Sequence, residues 1–92
     1  MIKFHYHTAP RDVPHANIEK GDPLCHAYSD ASLAELVAWG REHGLRPAWI
    51  DRKHTLPHFD LHGESLAYAG EGVGRRELVG DIRAWRAREE GG

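Results

Sequence analysis

Cysteine is almost absent: Cys25 is the only one in 92 residues. A lone thiol closes no internal disulfide, and small secreted domains usually carry several bridges. Long apolar runs are missing as well. The opening MIKFHYH turns polar at once, unlike the charged-then-apolar start of a secretory signal, and no stretch approaches the roughly 20 apolar residues of a membrane span. Both absences point to a cytoplasmic protein without a membrane partner. Neither sign of charge dominates, with 12 Lys+Arg against 14 Asp+Glu, which excludes a basic nucleic-acid arm and an acidic tail. Internal repeats, low-complexity tracts and the zinc spacings HExxH and CxxC are absent too. A chain of this length supports one core rather than two, so residues 1–92 read as a single domain.

What the chain does have is histidine, eight in all: His5, His7, His15, His26, His43, His54, His58 and His62. They are spread along the chain and are no affinity tag. Protonating all of them would reverse the sign of the net charge near pH 6.5, the ordinary imidazole pKa of about 6.5.

Hydrophobic periodicity outlines the elements. Ile2, Phe4 and Tyr6 alternate with Lys3, His5 and His7, which predicts a strand over 1–7 with one core face. Residues 8–23, with Pro10, Pro14, Gly21 and Pro23, read as a long loop. A second strand covers 24–28. Ser32 and Glu35 have capping-box spacing, Gly44 supplies a stop, and a helix is predicted over 33–43. Gly40 inside that helix implies close packing against a neighbour, since it otherwise costs nearly 1 kcal/mol relative to Ala. Arg46-Pro47 starts a turn that brings Trp49 and Ile50 into the core. Residues 51–57 form a polar loop, and 58–61 read as extended with Phe59 and Leu61 inward. A short helix over 64–69 closes at Gly70, and Val73 sits on a very short strand. From Arg75 a helix presents a stripe of Leu78, Ile82 and Trp85, with Val79 beside it; residues 89–92 should fray. The fold class is α/β: a short sheet of three or four strands with about three helices.

Five side chains form the candidate site: His5, His7, His26, His58 and Asp60. His5 and His7 share the strand face opposite Phe4 and Tyr6, and His58 and Asp60 share the face opposite Phe59. If the three extended segments are neighbours, imidazoles and a carboxylate meet in a donor set that suits Zn²⁺, Fe²⁺, Mn²⁺ or Ni²⁺. The competing reading is structural, with His26 as a buried histidine bonded to backbone and Asp60 as a helix cap or turn residue. Cys25 and His26 are adjacent and point to opposite faces, so they do not form a thiol–base pair; Cys25 packs as a small apolar group. Arg75 and Arg76 open the last helix, where cations are disfavoured by its dipole. They therefore suggest an anion partner, either Glu71 and Glu77 or the phosphate of a bound small molecule, against the plainer reading of a solvated charged turn. Trp39, Trp49 and Trp85 are core or interface anchors, and any left uncovered would serve as a homodimer contact.

Four segments carry a resemblance. Leu24-Cys25-His26-Ala27-Tyr28-Ser29-Asp30 before the capped helix resembles the Cys-His strand of the DUF4031 family, a small bacterial and phage family of unknown function. Gly44-Leu45-Arg46-Pro47-Ala48-Trp49-Ile50-Asp51 resembles its Gly-Leu…Trp-Phe-Gln segment, and Pro57-His58-Phe59-Asp60-Leu61 its Pro-His-Tyr-Asp-Leu motif. Gly72-Val73-Gly74-Arg75-Arg76-Glu77-Leu78 resembles its closing segment. The order is the same, over most of residues 24–80. The resemblance implies a small α/β domain and no particular activity. Where family members usually carry aspartate after the first strand, His5, Tyr6 and His7 stand here, another metal-ligating type.

Two functions are expected from these residues. The first is a metal-dependent hydrolase acting on a phosphoester or nucleotide-like substrate, with a metal-bound water as nucleophile and Asp60 or a histidine, His58, as base. The second is a non-catalytic binding or accessory module, dimeric, with structural or pH-responsive histidines.

Overall fold

A computed structural model describes residues 1–91. Strands β1 (Ile2–Thr8), β2 (Pro23–Ser29) and β3 (Phe59–Leu61) form one antiparallel sheet in the order β1-β2-β3. Helix α1 (Leu33–Glu42) follows β2, and helix α2 (Arg75–Gly91) ends the described chain. Three 3-10 segments, Pro14–Ala16, Pro47–Trp49 and Gly63–Tyr68, lie in the connections. The architecture is the expected α/β one. Among the described residues, no helix is long and apolar enough to cross a membrane.

Strand alternation divides the sheet into two unlike faces. One face is dry: Cys25, Ala27, Phe59 and Leu61 are buried there with Leu36 of α1 and Ile50. Phe4, Trp39 and Val37 pack against that cluster. Gly40 is required by this packing, since a Cβ there would lie 2.5 Å from Phe59 Cζ. The N-terminus of α1 is capped by Ser32, whose hydroxyl accepts from the Glu35 amide at 3.1 Å. Glu35 does not complete a capping box; its carboxylate takes the Ser29 hydroxyl at 2.6 Å, and Ser29 Oγ in turn accepts from the Ser32 amide. Gly44 adopts φ +75°, the left-handed stop expected of it.

The opposite face carries Lys3, His5 and His7 from β1, His26 and Tyr28 from β2 and Asp60 from β3. Helix α2 is tethered over one end of it. Lys3 Nζ meets Glu77 at 2.9 Å and Asp81 at 3.0 Å, the Tyr28 hydroxyl donates to Asp81 at 2.7 Å, and Trp85 Nε1 donates to the Ser29 carbonyl.

Several expectations need correction. Trp49 is not a core residue: it is 57% exposed, because the 3-10 turn at Pro47–Trp49 directs Ile50 inward and leaves the indole beside the Arg46 guanidinium. Tyr6 is also exposed, with its hydroxyl donating to the Gly70 carbonyl. The 8–23 connection is structured. The β1–β2 pairing runs on through Ala9 N–H to Asp22 O and Gly21 N–H to Ala9 O, and Val13 pairs with Ile18 around the Pro14 turn. The short strand expected at Val73 is a single bridge of Gly72 to Phe4, in which the Val73 amide donates to the Phe4 carbonyl at 2.7 Å; a Cβ on Gly72 would collide with the Tyr6 ring at 2.8 Å. Helix α2 continues past residue 89 to Gly91; of the tail expected to fray, Gly92 lies outside the described residues.

Candidate metal centre

The register places the site. His5 is opposite His26, and His26 is opposite Asp60, so one row of side chains crosses all three strands on a single face. His7, two residues along β1, brings its ring centroid to 4.0 Å from that of His26. His58 precedes Asp60 by two residues and so shares its face. It is held there by Asp51, with which it exchanges both backbone hydrogen bonds (2.7 and 3.2 Å), closing the 51–57 loop. All five expected residues therefore gather on one face.

The tightest part is His26, His58 and Asp60, whose candidate ligand atoms all lie within 4.8 Å of one another. His26 Nε2 is 3.3 Å and His58 Nε2 3.4 Å from the same oxygen, Asp60 Oδ1. His58 is buried, and its Nδ1 is 2.9 Å from the Leu56 carbonyl oxygen. A carbonyl can only accept, so Nδ1 carries the proton and Nε2 of the neutral ring turns a lone pair toward a carboxylate. That arrangement calls for a cation between them, either a proton or a metal ion. A ring nitrogen that donates to a backbone carbonyl while the other faces the ligand position is the usual setting of a metal-binding imidazole.

Electrostatics follow from this geometry. His26 first, and then His58, hold the Asp60 carboxyl well below the usual range. Burial opposes protonation of His58, but Asp60, the Leu56 carbonyl and Asp51 together outweigh it and its pKa is raised. His5 and His7 move the other way, lowered first by burial and next by the neighbouring His26. Among the described residues, His5 Nδ1 and His7 Nε2 are buried nitrogens without a hydrogen-bond partner.

Neither the helix-cap role for Asp60 nor the buried, backbone-bonded role for His26 matches the geometry. Asp60 lies within β3, and the residue at the start of the Gly63–Tyr68 segment is His62, whose amide donates to Ser65 Oγ. His26 faces Asp60 and is partly exposed. Cys25 is fully buried on the dry face, and burial pushes its thiol up to about 11, which leaves it unreactive.

Arg75 and Arg76 are both exposed at the start of α2. Glu77, one expected partner, binds Lys3 instead. Arg75 is near enough to His5 for its charge to contribute to the lowered pKa there. Sequence reasoning missed Asp51, whose Oδ2 is 3.8 Å from His58 Nε2, and His54, whose ring is stacked with His58 at 6.4 Å. The signal for Asp51 was its place just ahead of a polar loop returning to His58; nothing local marked His54.

A family model described as a protein of unknown function (DUF4031) matches residues 12–84. That span holds His26, His58, Asp60 and Arg75 and leaves out β1 with His5 and His7. An uncharacterized protein of Bacillus subtilis (strain 168), YneQ, is 47% identical over 38 residues, which are 41% of this chain and 38% of that protein. The chain thus covers well under two thirds of that relative's length. No solved structure matches.

Proposed function

We propose that this chain, which belongs to the DUF4031 family, binds one divalent transition metal at His26, His58 and Asp60 and hydrolyses a phosphoester. The observation that carries the reading is the convergence of two Nε2 atoms on Asp60 Oδ1 while His58 Nδ1 is tied to the Leu56 carbonyl. Two imidazoles and one carboxylate suit zinc, iron, manganese or nickel, and leave coordination positions open. A metal bound there would supply Lewis acidity and an activated water.

The chain's own residues would share the remaining work. Asp60 and His58, the expected base candidates, are occupied as ligands, and the low pKa of Asp60 makes it a weak base. The base role then falls to His7, whose ring adjoins His26, whose Nε2 has no partner and whose lowered pKa keeps it neutral near pH 7. Arg75 stands at the His5 end, a cation suited to phosphate oxygens.

The same distances support a second reading, in which Asp60 forms ion pairs with protonated His26 and His58 and the domain is a non-catalytic module. Metal analysis separates the two. The chelator-treated protein is titrated with zinc or manganese and assayed on p-nitrophenyl phosphate and bis-p-nitrophenyl phosphate. Stoichiometric metal uptake with metal-dependent turnover supports the hydrolase. Uptake without turnover on either ester removes the catalytic part, and no uptake leaves the ion-pair module.

A further inference from the structure

Helix α2 has an apolar stripe that the dry core does not absorb. Trp85 is used at Ser29, but Leu78 and Ile82 are only half-buried. They line a cleft of about 350 Å³ together with Leu56, His26 and His58. Arg86, one turn beyond Ile82, stands on the α2 wall. The tethers from Lys3 and Tyr28 fix α2 through Glu77 and Asp81, and none of these four residues lines the cleft. An apolar wall above a floor that would hold a metal cation is complementary to a molecule with an anionic head and an apolar body. The volume is at the small end of ligand clefts, which run from about 300 to 1,000 Å³. The chain carries no net positive charge that would hold a polyanion.

We infer that this cleft seats the organic part of a small phosphate monoester, a flat apolar or aromatic group lying against Leu56, Leu78 and Ile82 while its phosphate reaches the His26–His58 floor. The inference rests on the metal reading above, because the metal would hold the phosphate; it adds which phosphoesters the site takes. Arg86 lies where it would meet a polar edge or phosphate oxygen of the same molecule.

The test uses the full chain loaded with zinc and two non-hydrolysable probes, phenylphosphonate and methylphosphonate, with affinities measured by calorimetry. Burial of the phenyl ring should make phenylphosphonate bind about tenfold or more tightly than methylphosphonate. Ile82→Asn and, separately, Leu78→Asn should bring that ratio toward one with zinc stoichiometry unchanged. Both residues are half-buried and outside the dry core, so at least one variant should fold. Equal affinity for the two probes in the wild type, or an unchanged ratio in both variants, overturns the inference while leaving the metal reading in place. Absence of zinc uptake by the wild type overturns both.

Discussion

Asp60 and His58 differ in what their removal should do, although both face the same position. Asp60 is half exposed and lies on the polar face, so Asp60→Asn should lose bound metal with a stability change within about 1 kcal/mol; elemental analysis and urea unfolding check both halves. His58 is buried and its ring donates to Leu56 O. His58→Ala should therefore lose metal and also cost about 1–3 kcal/mol, since the carbonyl is left unpaired. Titration has opposing contributions in the metal-free protein. For His5 and His7 the folded pKa is lowered, so below about pH 6.5 the unfolded chain binds more protons and stability falls as pH falls. For His58 the folded pKa is raised; its contribution is present below about 6.5 and is lost as pH rises through the folded value. Asp60 contributes above its unfolded pKa of about 3.9 and loses that in stronger acid. The expected acid decline between about pH 7 and 5 is thus partly offset by His58. His7→Gln should make it shallower, and a melting-temperature series that is as steep in this variant as in wild type would refute the assignment. The five site residues were legible because period-two alternation fixes which side chains share a face. Asp51 was signalled only weakly and His54 not at all, because both reach His58 through the closing of the 51–57 loop.

Among the elements, α1 was legible to within a residue because its signals are local: the Ser32 cap, the Gly44 stop and Gly40 at a contact. Gly40→Ala should be destabilising by about 1–3 kcal/mol, since the new Cβ meets Phe59 at 2.5 Å, despite the gain of nearly 1 kcal/mol in helix propensity. A denaturation midpoint equal to or above wild type would show that Phe59 can move aside. Trp49 runs the other way. A large aromatic in a thin domain invites a core assignment, but a 3-10 turn exposes it, and Trp49→Ala should cost no more than about 1 kcal/mol. The 8–23 connection reads only as a loop because Pro10, Pro14 and Pro23 signal irregular backbone, and its internal order is not visible. The hydrogen bonds that order it join Ala9 to Gly21 and Asp22 and leave no local pattern. The apolar stripe of α2 was visible in the sequence; that part of it would face imidazoles rather than the core was not, since its position is set by ion pairs between residues 3 and 77 or 81.

For the whole molecule, the organising feature is a small sheet with two chemically different faces. One is a dry core closed by α1. The other is anchored at one end by Lys3, Tyr28 and Asp81 and carries four imidazoles and a carboxylate along the rest. A domain this small has little apolar area to spare, and giving half its sheet to titratable groups requires something to neutralise their mutual cost. The two ways are a shared proton network and the metal ion proposed above, and the Nδ1 contact of His58 with the Leu56 carbonyl is compatible with both. Native mass spectrometry of the chelator-treated chain after addition of one equivalent of zinc, beside Asp60→Asn treated identically, tests this most directly. One zinc per wild-type chain and none on the variant is the expected result. Equal zinc occupancy on the two proteins, or none on either, would contradict it.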